Sequence, residues 1–307
     1  MRVTALAGGT GAAKLLRGLA ACLSPGELTI IGNTGDDTEV WGLHVSPDLD
    51  TVTYALADVL DVARGWGRAE ETFRCREVMA TLGAPAWFGL GDRDLAVHLT
   101  RTAALRAGEP LSVITARLAA AFGVTSRVLP MSDQPVRTRV VTTEGPRLFQ
   151  EYFVRDRAMG DVVRVEYDGA AAAEPAPGVR EAITGADLVV VCPSNPVTSV
   201  GPILAVPGVT EALGATRGPV VGVSPIIGGA PVSGPAGRLM HARGLEVSPL
   251  GVAVAYAPWL RTLLIDARDH ALVDALAQRG VRALVTDVMM PDHAREQALA
   301  RQVLEAV

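Results

Sequence analysis

The sequence predicts an α/β fold: a Rossmann-like, mainly parallel sheet flanked by helices and carrying a small antiparallel insertion. Three observations predict it. Short apolar runs ended by Gly, Pro, Asn or Ser alternate with longer segments of helical period, as in βα units laid on a parallel sheet. The chain has 307 residues and is 49% hydrophobic, enough to bury a sizeable core without disulfide or metal staples. One Thr- and Val-rich stretch, from Val136 to Glu166, replaces that rhythm with alternation and has a turn at Glu144-Gly145-Pro146.

In chain order, Val3–Ala7 reads as the first strand, Gly8-Gly9-Thr10-Gly11 as a loop, and residues 12–22 as a helix with Leu15, Leu16 and Leu19 on one face. Residues 28–31 form a second strand that runs into the polar loop Gly32-Asn33-Thr34-Gly35-Asp36-Asp37. Helices are expected over about residues 51–62, 70–82, 94–107 and 111–122. Residues 188–192, Val220–Val223 and Arg282–Thr286 are continuous and apolar, as in strands buried on both faces. The whole chain, 1–307, is expected to be one α/β domain, with an inserted β-rich subdomain over about residues 131–170. Arginines of that insertion (Arg137, Arg139, Arg147, Arg155, Arg157) face either a polyanion or simply solvent. The Ala-, Pro- and Gly-rich residues 170–178 read as a flexible connection.

Composition excludes several classes. A net charge of -5 argues against nucleic-acid binding driven by overall charge. Cys22, Cys75 and Cys192 lie far apart without CxxC spacing, so they read as small buried apolar residues, not as a disulfide or zinc framework. No HExxH pair, GxSxG elbow or kinase set is present, so covalent catalysis lacks a nucleophile in a known setting. The first apolar stretch is too short for a signal peptide, and no run reaches the roughly eighteen residues of a membrane span, so a cytoplasmic location without membrane contact is expected. Of the 28 basic residues only Lys14 is a lysine, and it follows the glycine loop by one helical turn.

Five loops are candidates for chemistry. Gly8, Gly9, Thr10 and Gly11 allow close backbone approach, and free N–H groups at a helix start favour a phosphate within reach of Lys14; a purely structural turn is the alternative. Asp36 and Asp37 in a Gly-rich loop suit Mg²⁺, with a third carboxylate in Pro47-Asp48-Leu49-Asp50-Thr51; Asx-turn and helix-capping roles, the latter for Asp50, compete. Trp87 and Phe88 precede the turn Gly91-Asp92-Arg93-Asp94, so they form either a wall for a flat ring beside an anion-binding Arg93 or a helix start capped by Asp92 or Asp94. Pro193-Ser194-Asn195-Pro196 and Ser224-Pro225-Ile226-Ile227-Gly228-Gly229 follow strands and offer small polar groups at the same sheet edge, where open α/β sheets bind ligands. Metal-assisted phosphoryl chemistry is the class these loops support best.

Taken together, GGTG with its lysine, GNTGDD, GLHVSPDLDT, RGWG, WFGLGDRDLAVHL, the Met131-Ser132-Asp133 turn, PSNPVTSVGPIL and SPIIGG occur in the order seen in the 2-phospho-L-lactate transferase family, which the chain resembles from the first strand to at least Gly229. PDLDT and GLGDRDLA carry most of the specificity. The resemblance implies transfer of a phosphorylated small acid from a guanosine-diphosphate-linked donor to the ribityl hydroxyl of the deazaflavin Fo, with release of GMP, in biosynthesis of coenzyme F-420. It implies that Gly8, Gly9, Thr10, Gly11 and Lys14 hold donor phosphates and that Ser194 and Asn195 place the guanosine side; we group Asn33 with them. It implies Mg²⁺ on Asp36 and Asp50, with Asp37 in support, and Fo on Asp50 and Arg93, beside the Trp87 and Phe88 wall. Either Asp50 or Asp37 is then the base for the attacking hydroxyl. Arg-rich composition and the spelling of RGWG and WFGLGDRD favour phosphoenolpyruvate over phospholactate or phosphoglycerate, and a homodimer is expected. Two other classes share parts of the pattern. Nucleotide-sugar-binding regulators of a related branch have the glycine loop without PDLDT and GDRD, and an NAD-dependent oxidoreductase needs an acidic residue at the second strand's end that is not isolated here.

Overall fold

A computed structural model of the protein describes residues 1–306. Strand β1 (Val3–Ala7) leads into helix α1 (Gly9–Cys22), and β2 (Leu28–Gly32) into a hairpin of β3 (Thr38–Val40) and β4 (Leu43–Val45). Helices α2 (Pro47–Leu56), α3 (Arg74–Thr81), α4 (Asp94–Arg106) and α5 (Leu111–Ala121) precede β5 (Arg127–Pro130). Strands β6 (Arg137–Thr142), β7 (Gly145–Leu148) and β8 (Val162–Asp168) then form a separate antiparallel sheet in the order β7-β6-β8. Helix α6 (Val179–Thr184), β9 (Leu188–Val191), α7 (Gly201–Ala205), α8 (Val209–Gly214) and β10 (Val220–Val223) follow. The chain closes with a short hairpin of β11 (Ile226–Ile227) and β12 (Ala230–Pro231), helices α9 (Ala236–Ala242) and α10 (Pro249–Ala255), then β13 (Thr262–Asp266), α11 (Val273–Ala277), β14 (Arg282–Thr286) and α12 (His293–Glu305).

The main sheet has seven strands in the order β14-β13-β10-β9-β1-β2-β5, and every neighbouring pair is parallel. The order reverses between β1 and β9. Connections leave these two strands in opposite directions, which opens a crevice at their carboxyl ends. The central strands are buried on both faces, and alternate residues serve opposite cores: Val189 and Val191 pack into one cluster, Leu188 and Val190 into the other. The antiparallel insertion contributes Val140, Phe149, Tyr152 and Val165 to the first cluster, whereas α1 and α12 cover the second through Leu15, Leu16, Leu19, Leu299 and Val303.

Four differences from the sequence reading have physical causes. Helix α1 begins at Gly9, so Gly9, Thr10 and Gly11 form its first turn and only Gly8 stands before it. Helix α2 begins at Pro47, since a proline costs nothing in the first turn, where its missing N–H has no partner, and Asp50 therefore lies inside the helix and does not cap it. The next helix starts only at Arg74, because Glu70 has a left-handed backbone (φ 53°) and the Asp92 carboxylate accepts the Arg74 and Cys75 N–H groups, at 3.2 and 3.0 Å. Strand β14 is at the sheet edge and half-exposed instead of buried on both faces. Two further expectations fail. Residues 170–178 are packed, with Ala170, Ala173 and Ala176 buried in the core, and Cys75 is exposed while Cys192 is buried.

Candidate active site

A cavity of about 590 Å³ lies at the switch point and draws residues from the ends of β1, β2, β9, β10 and β14 and from α2 and α4. One end is built on the glycine turn. The Gly8 N–H donates to Ser194 Oγ at 3.3 Å and the Gly9 N–H to Asp48 Oδ1 at 2.8 Å, while the N-cap residue of α1, Gly8, has no side chain of its own to cap the helix. A Cβ on Gly8 would stand 2.5 Å from Asp48 Oδ2, and one on Gly11 would stand 2.4 Å from the Pro193 carbonyl. Both glycines are therefore required by the close packing of the turn. Lys14 lines the cavity and donates from Nζ to the Met290 carbonyl at 3.0 Å, which ties it to the loop before α12. Thr10 Oγ1 donates to the Gly65 carbonyl at 2.8 Å.

Beside this turn lie two buried carboxylates, Asp36 and Asp48. Asn33 organises them: its Nδ2 donates to Asp48 Oδ2 at 2.8 Å and to the Thr198 carbonyl at 3.1 Å, while its Oδ1 accepts the Gly35 N–H at 2.8 Å. Asp36 Oδ1 has no hydrogen-bond partner. Burial, and then the charge of Asp48, push the Asp36 carboxyl well above its ordinary value. Burial lifts Asp48 to about 6 despite its hydrogen bonds from Asn33 and Gly9. An orphaned oxygen on Asp36 beside a second buried carboxylate is of the hard oxygen type that suits Mg²⁺. Among the described residues no group of three or more His, Cys, Asp or Glu forms a complete metal cage.

The other end is a charged network between α2 and α4. Arg101 is buried and grips both oxygens of Asp50, with Nη1 3.1 Å from Oδ2 and Nη2 on Oδ1. His98 sits between two carboxylates, its Nδ1 3.7 Å from Asp50 Oδ2 and its Nε2 3.4 Å from Asp94 Oδ2. The Tyr54 hydroxyl donates to Asp94 Oδ1. Burial alone would raise Asp94, but His98 and Tyr54 outweigh it and hold that carboxyl below its ordinary value.

Over residues 3–305 the chain matches the family described as 2-phospho-L-lactate transferase CofD. It belongs to the 2-phospho-L-lactate transferase family. It is similar to the phosphoenolpyruvate transferase of Streptomyces griseus, at 47% identity over 99% of this chain and 98% of that one. It is also similar to the 2-phospho-L-lactate transferase of Methanosarcina acetivorans, at 45% identity over 97% of each chain. The solved structure of protein BH3568 from Bacillus halodurans shares the fold, with a TM-score of 0.66 at 19% identity and 99% coverage of both chains.

Of the residues singled out in this transferase-family sequence, Gly8, Gly9, Thr10, Gly11, Lys14, Asp36, Asp50, Phe88, Ser194 and Asn195 line one cavity. Asn195 also accepts the Val197 N–H on Oδ1 at 2.9 Å, and so orders the turn behind it. Others stand apart from that lining. Asn33 lies behind it and acts through Asp48. Asp37 accepts the Ser46 hydroxyl at 2.9 Å and lies 2.8 Å from His44 Nε2, so it braces the β3-β4 hairpin. Trp87 packs edge-on to Phe88 beneath the Arg155 guanidinium. The Arg93 side chain is 52% exposed and pairs with Glu70 at 3.3 Å, while the Arg93 N–H donates to Glu71. The insertion's arginines are largely neutralised locally, Arg139 by Asp168 and Arg155 by Glu151 and Asp156, which is the solvent-facing alternative. Sequence reasoning gave no role to Asp48, Trp66, His98, Phe149 and Phe153, all of which line the cavity. The PDLDT, RGWG and WFGLGDRDLAVHL strings contain Asp48, Trp66 and His98, and no string contains Phe149 or Phe153.

Proposed function

We propose that this chain moves a phosphorylated small acid, phosphoenolpyruvate first among the candidates, from a guanosine-diphosphate-activated donor to the ribityl hydroxyl of Fo, releasing GMP, in coenzyme F-420 biosynthesis. One observation carries the reading: a glycine-rich helix start, two buried carboxylates without an ion-pair partner among the described residues and a third carboxylate held by arginine share a single cavity. In the reaction the ribityl oxygen attacks the outer phosphorus of the donor, a new P–O bond forms, and the bond to the GMP phosphate breaks.

The N–H groups at the start of α1 and the Lys14 ammonium hold the donor phosphates, and Ser194 with Asn195 places the guanosine side. Asp36 and Asp48 hold Mg²⁺, which offsets phosphate charge when bound. The Asp50 carboxylate takes the proton of the attacking hydroxyl. Phe88, Trp66, Phe149 and Phe153 offer aromatic faces to the flat deazaflavin. We read the protein as a cytoplasmic homodimer; no helix among the described residues is long and apolar enough to cross a membrane.

Mass spectrometry of products formed from Fo, Mg²⁺ and a mixture of guanosine-diphosphate-linked enolpyruvate, lactate and glycerate tests the reading. The expected product is Fo carrying phosphoenolpyruvyl, with an equal amount of GMP. A phospholactyl or phosphoglyceryl product would correct the acid alone. No product from any donor would overturn the transferase reading, and thermal stabilisation by a UDP-sugar or by NAD would then favour the regulator or the oxidoreductase.

A further inference from the structure

We propose that Arg101 is a positioning residue that reserves Asp50 for the acceptor's hydroxyl and keeps it from serving as a metal ligand. The inference rests on the transferase reading above. Arg101 is 2% exposed and heads the largest fully buried side chains of the protein. Its two terminal nitrogens hold the two Asp50 oxygens from behind, while Asp50 itself lines the cavity and Arg101 does not. A buried ion pair adds little net stability over an apolar pair of similar volume, so stability alone does not account for an arginine at this position. What a bidentate grip supplies is orientation: both carboxylate oxygens are fixed, and each keeps a lone pair for the cavity.

The surroundings make this arrangement specific. On α4, Asp94, His98 and Arg101 follow helical spacing and face Asp50 and Tyr54 of α2. Asp36 and Asp48, by contrast, have no salt-bridge partner among the described residues, and Asp36 keeps an orphaned oxygen. A divalent cation is favoured between those two. On Asp50 the same cation would sit against a buried guanidinium, with like charges meeting in a medium of low dielectric. The resemblance that assigns Mg²⁺ to Asp50 thus meets a physical obstacle in Arg101.

The test compares wild type with Arg101→Met, Arg101→Lys, Asp50→Asn and the double variant Asp50→Asn/Arg101→Met. It reads steady-state turnover of Fo, and binding of guanosine diphosphate with Mg²⁺ by calorimetry. Arg101→Met is expected to lose about a hundredfold in turnover, as for a misplaced reacting group, with guanosine diphosphate and Mg²⁺ binding unchanged. Lysine, a single point charge, restores only part of the loss. The double variant is expected to be no slower than Asp50→Asn alone, because Arg101 acts through Asp50. Losses that multiply, wild-type turnover in Arg101→Met, or weakened guanosine diphosphate and Mg²⁺ binding would each overturn the proposal. Should Arg101→Met fail to fold, the double variant, which removes both charges together, and Arg101→Lys carry the same comparison. A wild-type protein inactive on Fo defeats the transferase reading; an active one indifferent to Arg101 defeats this inference alone.

Discussion

At the end of the cavity beside Gly8, Asp36 and Asp48 are both buried, with the charge of Asp48 felt at Asp36, whereas at the far end Asp50 and Asp94 share Arg101, His98 and the Tyr54 hydroxyl. The chemical groups are the same and the environments are opposite. Burial raises the proton affinity of both members of the first pair, with the charge of Asp48 adding to it at Asp36 and that of Asp37 at Asp48, and no cationic side chain among the described residues pairs with either. In the second pair Asp94 is held below its ordinary value, and Asp50 already has its counter-ion. One pair lacks a counter-charge among the described residues, and the other is built around one.

The sharpest way to break this comparison is to make one substitution at both ends. Asp36→Asn and Asp50→Asn should each lower turnover by about a thousandfold, or about 4 kcal/mol of transition-state stabilisation. Their effects on the ligand-free fold should have opposite signs. Asp50→Asn leaves the Arg101 guanidinium buried without its counter-charge and should cost about 3 to 5 kcal/mol in denaturant unfolding. Asp36→Asn removes a carboxylate whose ionised form is disfavoured by burial and by Asp48, and should raise stability near neutral pH. If both variants lost stability equally, the contrast between the two ends would be wrong.

Proton and metal linkage is expected to have a smaller effect. The Asp48 carboxyl is held at about 6 in the fold against an ordinary 3.8, so the folded chain binds its proton more tightly than the unfolded chain. Its contribution is therefore full below the ordinary value and is lost as pH rises through about 6, a change of about 3 kcal/mol. Asp94 works in the other direction, stabilising above the ordinary carboxylate range and losing that stability on acidification. Magnesium must displace the protons of the first pair, so its stabilisation in thermal melts should be larger at about pH 7.5 than at about pH 5. Equal shifts at the two pH values would remove Asp36 and Asp48 from the metal site.

What the sequence made legible follows the same division. The glycine turn, Asp36, Ser194 and Asn195 could be read because each follows a strand, and strand ends converge in a parallel α/β sheet. Strands β1, β9 and β10 were equally plain as unbroken apolar runs, and β14 was read as a strand although it opens on Arg282. Strands β5 and β13 went unread: their apolar runs, Val128-Leu129 and Leu263-Leu264-Ile265, are no longer than that of β14, and their parallel pairing in the sheet is what marks them as strands. Asp48 escaped notice because its role depends on a helix that starts at Pro47 and carries the carboxylate up to the Gly9 N–H. Arg101 and His98 escaped for another reason. Their spacing marks one face of a helix, but only the packing of α4 on α2 brings that face against Asp50. The aromatic wall shifted likewise: adjacency to a turn pointed to Trp87, while the fold brings Trp66 in from a distant loop and seats it where a Cβ on Gly89 would stand 2.6 Å from its ring.

Arg93 gives the smallest expected effect and the finest test of where the second end stops. Its guanidinium is 52% exposed, pairs only with an exposed Glu70 and stays outside the cavity lining, so it belongs to neither carboxylate pair. Its backbone is held separately, by Glu71 accepting the Arg93 N–H, and truncating the side chain leaves that contact in place. Arg93→Ala should therefore leave the melting temperature unchanged. If the acceptor reaches the rim, its KM should rise by about fivefold, near 1 kcal/mol for an exposed charge, with kcat unaltered. A loss in kcat comparable to that of Asp50→Asn would mean that Arg93 swings inward onto the reacting groups, and the boundary of the compensated end would then have to be drawn to include it.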